Sequence, residues 1–167
     1  NGHYYYCYCT KSNHFSYVLD EVLKNNAHLE TSSAYDINLI RSLLDSEKID
    51  KKIRIICNGF KPKIYTDSIK GLITDGFNHV IPVLDNMEEF EAYQDFNHEM
   101  NIGLRIAAEE SPKYQFYTSR LGIRQRDVIP FYIEKIKPKS NVKLTMLHFF
   151  IDSGIKDSAY YWSELNK

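Results

Sequence analysis

The chain of 167 residues is long enough to bury one hydrophobic core, and its start without a methionine leads us to expect a piece of a longer protein. Its 21 basic and 22 acidic residues leave a formal net charge of −1, which gives no broad positive field for nucleic acid or an anionic membrane. No apolar run approaches the roughly 20 residues that span a bilayer, so we expect a soluble chain that binds neither nucleic acid nor membrane.

Six short runs rich in β-branched or aromatic residues predict β-strands. They lie near residues 5–10, 27–31, 53–57, 79–84, 102–107 and 144–151. The first five begin 22 to 26 residues apart, which is the length of one strand, one helix and two short loops. Repeated βα units of this kind imply a parallel sheet, and nearly continuous apolar strands suit a sheet that is covered on both faces.

Helix-start signals stand between these runs. They are Asn13, Ser33 with Asp36 three residues on, Pro62, and Asn86 with Glu89 three residues on. Apolar residues repeat at intervals of three and four over residues 14–26 and 35–45, which predicts amphipathic helices there. A longer connection, residues 108–123, follows the fifth strand, and long loops at the carboxyl ends of strands commonly carry function.

The predicted fold class is α/β, with two candidate architectures. Six βα units fit either an open doubly wound sheet or six-eighths of a closed (β/α)8 TIM-type barrel, and the period alone does not separate them. A dinucleotide-binding sheet is disfavoured, because Thr10-Lys11-Ser12-Asn13 follows the first strand in place of G-x-G-x-x-G.

Lys11 is the first candidate catalytic residue. It stands at the end of the first predicted strand, where a parallel sheet presents its chemistry. A lysine amine held there by a rigid element and partly desolvated can attack an aldehyde and form a Schiff base. A lysine that simply extends into water is the competing interpretation.

Three cysteines, Cys7, Cys9 and Cys57, form an odd set without C-x-x-C or zinc-ligand spacing. The pattern favours a reducing, cytoplasmic location and predicts no metal site. Cys7 and Cys9 are two residues apart on a strand, so they share one face, where small side chains suit a crowded interior.

Six segments carry a family resemblance through their order and spacing. They are Tyr8-Cys9-Thr10-Lys11-Ser12-Asn13 (similar to Y-A-x-K-A-N), Leu29-Glu30-Thr31-Ser32-Ser33 (F-D-V-A-S), Cys57-Asn58-Gly59-Phe60-Lys61 (I-C-N-G-Y-K), Leu104-Arg105-Ile106 (L-R-I), Ser119-Arg120-Leu121-Gly122-Ile123 (S-K-F-G-I) and Leu147-His148-Phe149-Phe150-Ile151-Asp152-Ser153 (L-H-F-H-I-G-S). Together they resemble the pyridoxal-phosphate barrel decarboxylases, the fold-type III group that includes alanine racemase and the ornithine, diaminopimelate and biosynthetic arginine decarboxylases. The third segment is most similar to the arginine enzymes.

The resemblance implies a cofactor, pyridoxal 5′-phosphate, held covalently by Lys11. It implies that Arg105 lies near the phenolic oxygen of the cofactor and that Glu30 lies near Lys11 inside the barrel. An arginine that pairs with acids between barrel layers, and a glutamate that serves only as an ion-pair partner, are the structural alternatives. Arg120 is implied to reach a subunit boundary, and a solvated surface arginine is the alternative.

The last segment is implied to bind the phosphate and cover the ring. Ser153 would bind phosphate, although an ordinary turn serine is an alternative. Phe150 stands where the relatives carry the histidine that stacks on the ring, and His148, two residues earlier, either compensates or packs in the core. Asp152 replaces a glycine beside the phosphate, where a carboxylate is repelled unless it is turned away or paired.

The resemblance therefore predicts that residues 1–167 are part of a pyridoxal-phosphate-binding barrel, with the rest of the barrel and a carboxyl-terminal β domain outside this chain. The implied activity is decarboxylation of arginine to agmatine in polyamine synthesis, by a homodimer or higher homo-oligomer, with the isolated fragment inactive. Decarboxylation of ornithine, lysine or diaminopimelate, racemisation of an amino acid, and a catalytically silent homologue are the alternatives.

Overall fold

The computed structural model describes residues 4–107 and 121–149, together with Ala159, Trp162, Ser163 and Asn166. Its strands are β1 (Cys7–Cys9), β2 (His28–Thr31), β3 (Ile55–Cys57), β4 (Val80–Leu84), β5 (Met100–Arg105) and β6 (Val142–His148). Its α-helices are α1 (Ser16–Lys24), α2 (Ala34–Asp45), α3 (Lys63–Thr74) and α4 (Gln125–Phe131), with a 3-10 helix at Glu88–Tyr93 and a π-helical turn at Tyr132–Ile136. Among the described residues, no helix is long and apolar enough to cross a membrane.

The six strands form one sheet in the order β1-β2-β3-β4-β5-β6, and every neighbouring pair is parallel. A doubly wound sheet reverses its strand order at a switch point, whereas a (β/α)8 barrel adds strands consecutively. The predicted α/β fold is therefore confirmed, and the order is that of a barrel. Within the described residues β1 and β6 are the two edges, so the sheet is part of a barrel wall.

Alternation along the strands creates two cores. On the outer face, Leu29 and Ile55 are fully buried against helix residues such as Ile40 and Ile69. On the inner face, a smaller cluster consists of Ile56, Ile81 and Val83, with partly buried Cys7 and Met146 packed against it. Successive side chains of a strand point to opposite faces, so inner-face residues are the ones that can reach the barrel interior. Cys7 is on the inner face, where it packs against this smaller cluster.

An irregularity in β6 sets which of its side chains point inward. Ile102 pairs with Leu144, whereas Gly103 pairs with Met146, so one residue of β6 is passed over. Leu144 and Met146 are two residues apart, so in a regular strand both would point to the same face. Because of the irregularity, Leu144 packs with the outer core and Met146 with the inner one. Regular alternation beyond Met146 then places His148 on the inner face as well.

The helix starts follow the predicted signals with two differences. In α2 the Ser33 hydroxyl accepts a hydrogen bond from the Asp36 N–H at 3.4 Å, as the capping pattern predicted. Helix α1 begins at Ser16, later than predicted, because the Asn13 side chain accepts from the Phe15 N–H at 3.0 Å and forms a turn ahead of the helix. The Asn86 signal is followed by a 3-10 segment in place of an α-helix.

Candidate active site at the carboxyl ends of the strands

Five polar side chains lie at the carboxyl ends of neighbouring strands. Glu30 is near the end of β2, Asn58 follows β3, Asp85 follows β4, and Arg105 and His148 are the last residues of β5 and β6. The carboxyl ends of parallel strands meet at one end of a barrel, and this is the end at which such barrels place their active sites. Arg105 and His148 are also register partners across the β5–β6 pair.

Asn58 joins Glu30 to His148. Its side-chain nitrogen lies 3.3 Å from Glu30 Oε1 and 3.4 Å from His148 Nε2, while its own oxygen accepts from the Gly59 N–H at 2.9 Å. The structure thus brings together two residues that the sequence singled out, through a third that appeared only as part of a motif. A polar residue directly after a buried strand was the signal that would have identified Asn58.

Arg105 and Asp85 form a partly buried ion pair. Arg105 Nη1 lies 3.4 Å from Asp85 Oδ1, and the side chains are 14% and 2% exposed. The second oxygen of Asp85 has no hydrogen-bond partner within the described part of the chain. The sequence predicted Arg105 as a site residue but not Asp85. The ion pair is the structural alternative considered for Arg105, and it does not conflict with a contact between Arg105 and a cofactor.

The surroundings of His148 favour its neutral form. Burial lowers the pKa of its imidazole most, the positive charges of Arg105 and Lys61 lower it further, and Asp85 opposes them. Its Nδ1 atom is buried and has no hydrogen-bond partner among the described residues. The His148 side chain is partly buried, and among the described residues it contacts Asn58 through one nitrogen and has no partner for the other.

Lys11 lies two residues beyond β1, at the same end of the sheet as the polar cluster. It follows Thr10, whose N–H and hydroxyl both donate to the Glu30 carbonyl, at 2.9 and 3.0 Å. The side chain of Lys11 is exposed, so the partial desolvation expected of it is not found in this chain. In the described part of the chain, β1 pairs with β2 alone, which leaves the other side of this strand uncovered.

A buried ion pair lies beneath the cluster and holds two of its loops. Lys61 Nζ is 3.2 Å from Glu89 Oε2, and the side chains are 1% and 7% exposed. Lys61 also donates to the carbonyls of Gly59, at 2.8 Å, and Val83. Glu89 in turn accepts from the Asp85 N–H at 3.0 Å. The pair therefore connects the loops that carry Asn58 and Asp85. Lys61 and Glu89 are 28 residues apart, so the sequence did not predict that they pair.

Four of the predicted site residues lie outside the described residues. They are Arg120, Phe150, Asp152 and Ser153. The described part of the site consists of the Glu30–Asn58–His148 chain, the Asp85–Arg105 pair and Lys11.

These side chains fit an anionic cofactor that carries an aldehyde. Lys11 supplies a primary amine, and Arg105 supplies a cation near the inner face. The buried atoms Asp85 Oδ2 and His148 Nδ1 lack partners within the described part of the chain. Unsatisfied buried polar atoms are unusual in native proteins, and a ligand that lies between the strand ends is one way to complete their hydrogen bonds.

Comparison with known proteins identifies the chain's family. The family model described as "Pyridoxal-dependent decarboxylase, pyridoxal binding domain" matches residues 2–167. A sequence search of curated proteins gives no match.

Solved structures share the fold at low sequence identity. Lysine decarboxylase from Selenomonas ruminantium is 14% identical, with a TM-score of 0.75 over 96% of this chain and 39% of that one. Arginine decarboxylase from Paramecium bursaria Chlorella virus is 14% identical, with a TM-score of 0.70 over 96% and 41%. Ornithine decarboxylase from Entamoeba histolytica is 21% identical, with a TM-score of 0.68 over 96% and 41%.

The chain thus spans about two fifths of the length of these relatives. The architecture agrees with that of a pyridoxal-binding barrel, and the family match extends over nearly every residue. This chain therefore belongs to the pyridoxal-dependent decarboxylases and matches their pyridoxal-binding domain, whose cofactor is pyridoxal 5′-phosphate.

Proposed function

We propose that this chain is part of a decarboxylase that converts arginine to agmatine and carbon dioxide. The observation that carries the proposal is the meeting of Glu30, Asn58, Asp85, Arg105 and His148 at the strand ends that also bear Lys11. The choice of arginine rests on the resemblance of Cys57-Asn58-Gly59-Phe60-Lys61 to the arginine enzymes.

In this proposal Lys11 would hold the cofactor through its amine. The cofactor supplies a conjugated ring that accepts the electron pair left when a carboxylate departs as carbon dioxide. Arg105 keeps a positive charge beside the ligand, and Asp85 fixes the position of that charge. Glu30 fixes Asn58, which in turn orients the His148 ring.

Phe150 and Ser153 are the residues proposed to cover the ring and to bind the phosphate. We further propose that the intact protein is cytoplasmic, that residues beyond this chain complete the barrel and add a β domain, and that it forms a homodimer or higher homo-oligomer. Isolated, residues 1–167 are expected to be inactive, because the sheet described has two open edges.

The substrate is tested with the intact protein, pyridoxal 5′-phosphate and four amino acids side by side: arginine, ornithine, lysine and diaminopimelate. Release of carbon dioxide from arginine, and its loss in Lys11→Ala, supports the proposal. Lys52→Ala is the matched control, since Lys52 is an exposed lysine in the turn before β3, at the opposite end of the sheet. Faster release from another of the four substrates would reassign the specificity.

One specific observation favours a second candidate, a homologue that binds the cofactor without turnover. Phe150 replaces the ring-stacking histidine of the relatives, and Asp152 stands beside the phosphate position. Cofactor binding without carbon dioxide release from any of the four substrates would support this candidate. A change in optical rotation that shows racemisation of the added amino acid would indicate a racemase. Failure to bind the cofactor would overturn the decarboxylase, the silent homologue and the racemase alike.

A further inference from the structure

The amide of Asn58 has one orientation that satisfies its neighbours. Its oxygen accepts from the Gly59 N–H at 2.9 Å, so its nitrogen faces Glu30 Oε1 and His148 Nε2. In the flipped orientation the Asn58 oxygen would face Glu30 Oε1, which is also an acceptor. The Asn58 nitrogen would face the Gly59 N–H, which is also a donor. Hydrogen-bond chemistry therefore assigns this side chain, as it does for amides whose two ends have different partners.

This orientation fixes the proton of His148. An amide nitrogen is only a donor, so Nε2 of His148 must accept and carries no proton. In a neutral imidazole the proton is then on Nδ1. Nδ1 is the buried atom that has no partner among the described residues, and His148 is the last residue of β6, at the carboxyl end of the sheet.

The charged groups around the ring agree with a neutral imidazole. Arg105, its register partner, and Lys61 disfavour a second positive charge, whereas Asp85 favours one. Asn58 contacts both the acid Glu30 and the His148 ring. The ring is thus held by a neutral donor and is not paired directly with a carboxylate in the described part of the chain.

We propose that Asn58 is a positioning residue that holds His148 as the Nδ1–H tautomer, so that the ring offers a hydrogen-bond donor to an acceptor oxygen of the bound cofactor or substrate. The nature of this ligand rests on the proposed function, whereas the tautomer rests only on the contacts of Asn58. A fixed tautomer of this kind determines whether a histidine donates or accepts at its ligand-facing nitrogen.

The tautomer is tested by ¹⁵N NMR of the intact protein labelled at histidine, before and after addition of pyridoxal 5′-phosphate. His148→Gln assigns the signals. We expect a protonated Nδ1 and an unprotonated Nε2 without cofactor. A protonated Nε2 in the unsubstituted protein would overturn the proposal, and this result does not depend on the cofactor being bound.

Two substitutions test the part played by Asn58. Asn58→Asp replaces the donor by an acceptor, so we expect Nε2 to gain a proton, whereas Asn58→Leu removes the donor without adding charge and should give a mixture of tautomers. For Asn58→Leu we also expect weaker binding of pyridoxal 5′-phosphate, by about twofold for an even mixture, because the affinity falls in proportion to the fraction of protein that holds the Nδ1–H tautomer.

The control is Asn38→Asp, the same change at an exposed position of α2, which should leave the signals of His148 unchanged. Should Asn58→Leu, which removes the donor without adding a carboxylate beside Glu30, leave the proton on Nδ1 alone, Asn58 does not set the tautomer. If the unsubstituted protein shows the expected tautomer but does not bind pyridoxal 5′-phosphate, the proposed function fails and the positioning by Asn58 stands.

Discussion

Replacing Lys61 by methionine should destabilise the protein far more than an ordinary lysine substitution. The variant keeps most of the apolar stem but removes the ammonium group, which leaves Glu89 as a buried carboxylate and removes the partner of the Gly59 and Val83 carbonyls. Breaking a buried ion pair from one side costs about 3–5 kcal/mol. Because Lys61 is 1% exposed and Glu89 is 7% exposed, we expect a loss in that range.

The assay is chemical denaturation of the intact protein, with Lys63→Met as the control. Lys63 pairs with Asp67 at 2.5 Å, but the side chains are 88% and 52% exposed, so its loss should cost less than about 1 kcal/mol. The double variant Lys61→Met with Glu89→Gln removes both buried charges and should recover part of the loss. Equal effects of Lys61→Met and Lys63→Met would show that the buried pair does not hold the two loops.

Three further predictions concern single residues. Gly122→Ala should destabilise more than Gly76→Ala. Both glycines have positive φ values, +98° and +90°, but a Cβ at Gly122 would lie 2.6 Å from the Ala107 nitrogen, whereas a Cβ at Gly76 would have no atom of the described residues within 4 Å apart from its chain neighbours; equal changes in unfolding midpoint would contradict this. The pKa of His148 is lower when folded than its ordinary value of 6.5, so the unfolded state takes up the proton first as the pH falls, and the free energy of unfolding should decrease below about pH 7; His148→Gln should reduce that decrease, and an unchanged pH profile would refute it. Cys57 is fully buried, and burial raises the pKa of its thiol to about 11, so it should resist alkylation at pH 8 until the protein unfolds; rapid labelling of Cys57 in the native protein, detected by peptide mass, would refute it.

The sheet was predictable because each of its strands is a short run of consecutive residues with its own sequence signal. Each buried run reads directly as a strand, and the regular interval between runs indicates the parallel connection. The choice between a barrel and a doubly wound sheet needed the strand order. That order depends on which strands pair in the sheet, and the number of residues between successive strands does not determine it. Individual helix starts differed where a side chain such as Asn13 formed its own turn.

The site was predictable in part. Arg105 and His148 were found by resemblance, and the passed-over residue in β6 that turns Met146 and His148 inward has no sequence signature. Asp85 and Asn58 were missed as site residues because each looks like an ordinary turn residue after a strand. Their roles follow from contacts between distant segments, such as the 90 residues that separate Asn58 from His148.

The identity of the cofactor-bearing lysine is tested most directly by chemical trapping. The intact protein is incubated with pyridoxal 5′-phosphate and reduced with borohydride, and its peptides are then mapped by mass spectrometry. We expect a phosphopyridoxyl group on Lys11 and none on Lys52. A modified lysine other than Lys11, with Lys11 unmodified, would contradict the assignment of this site.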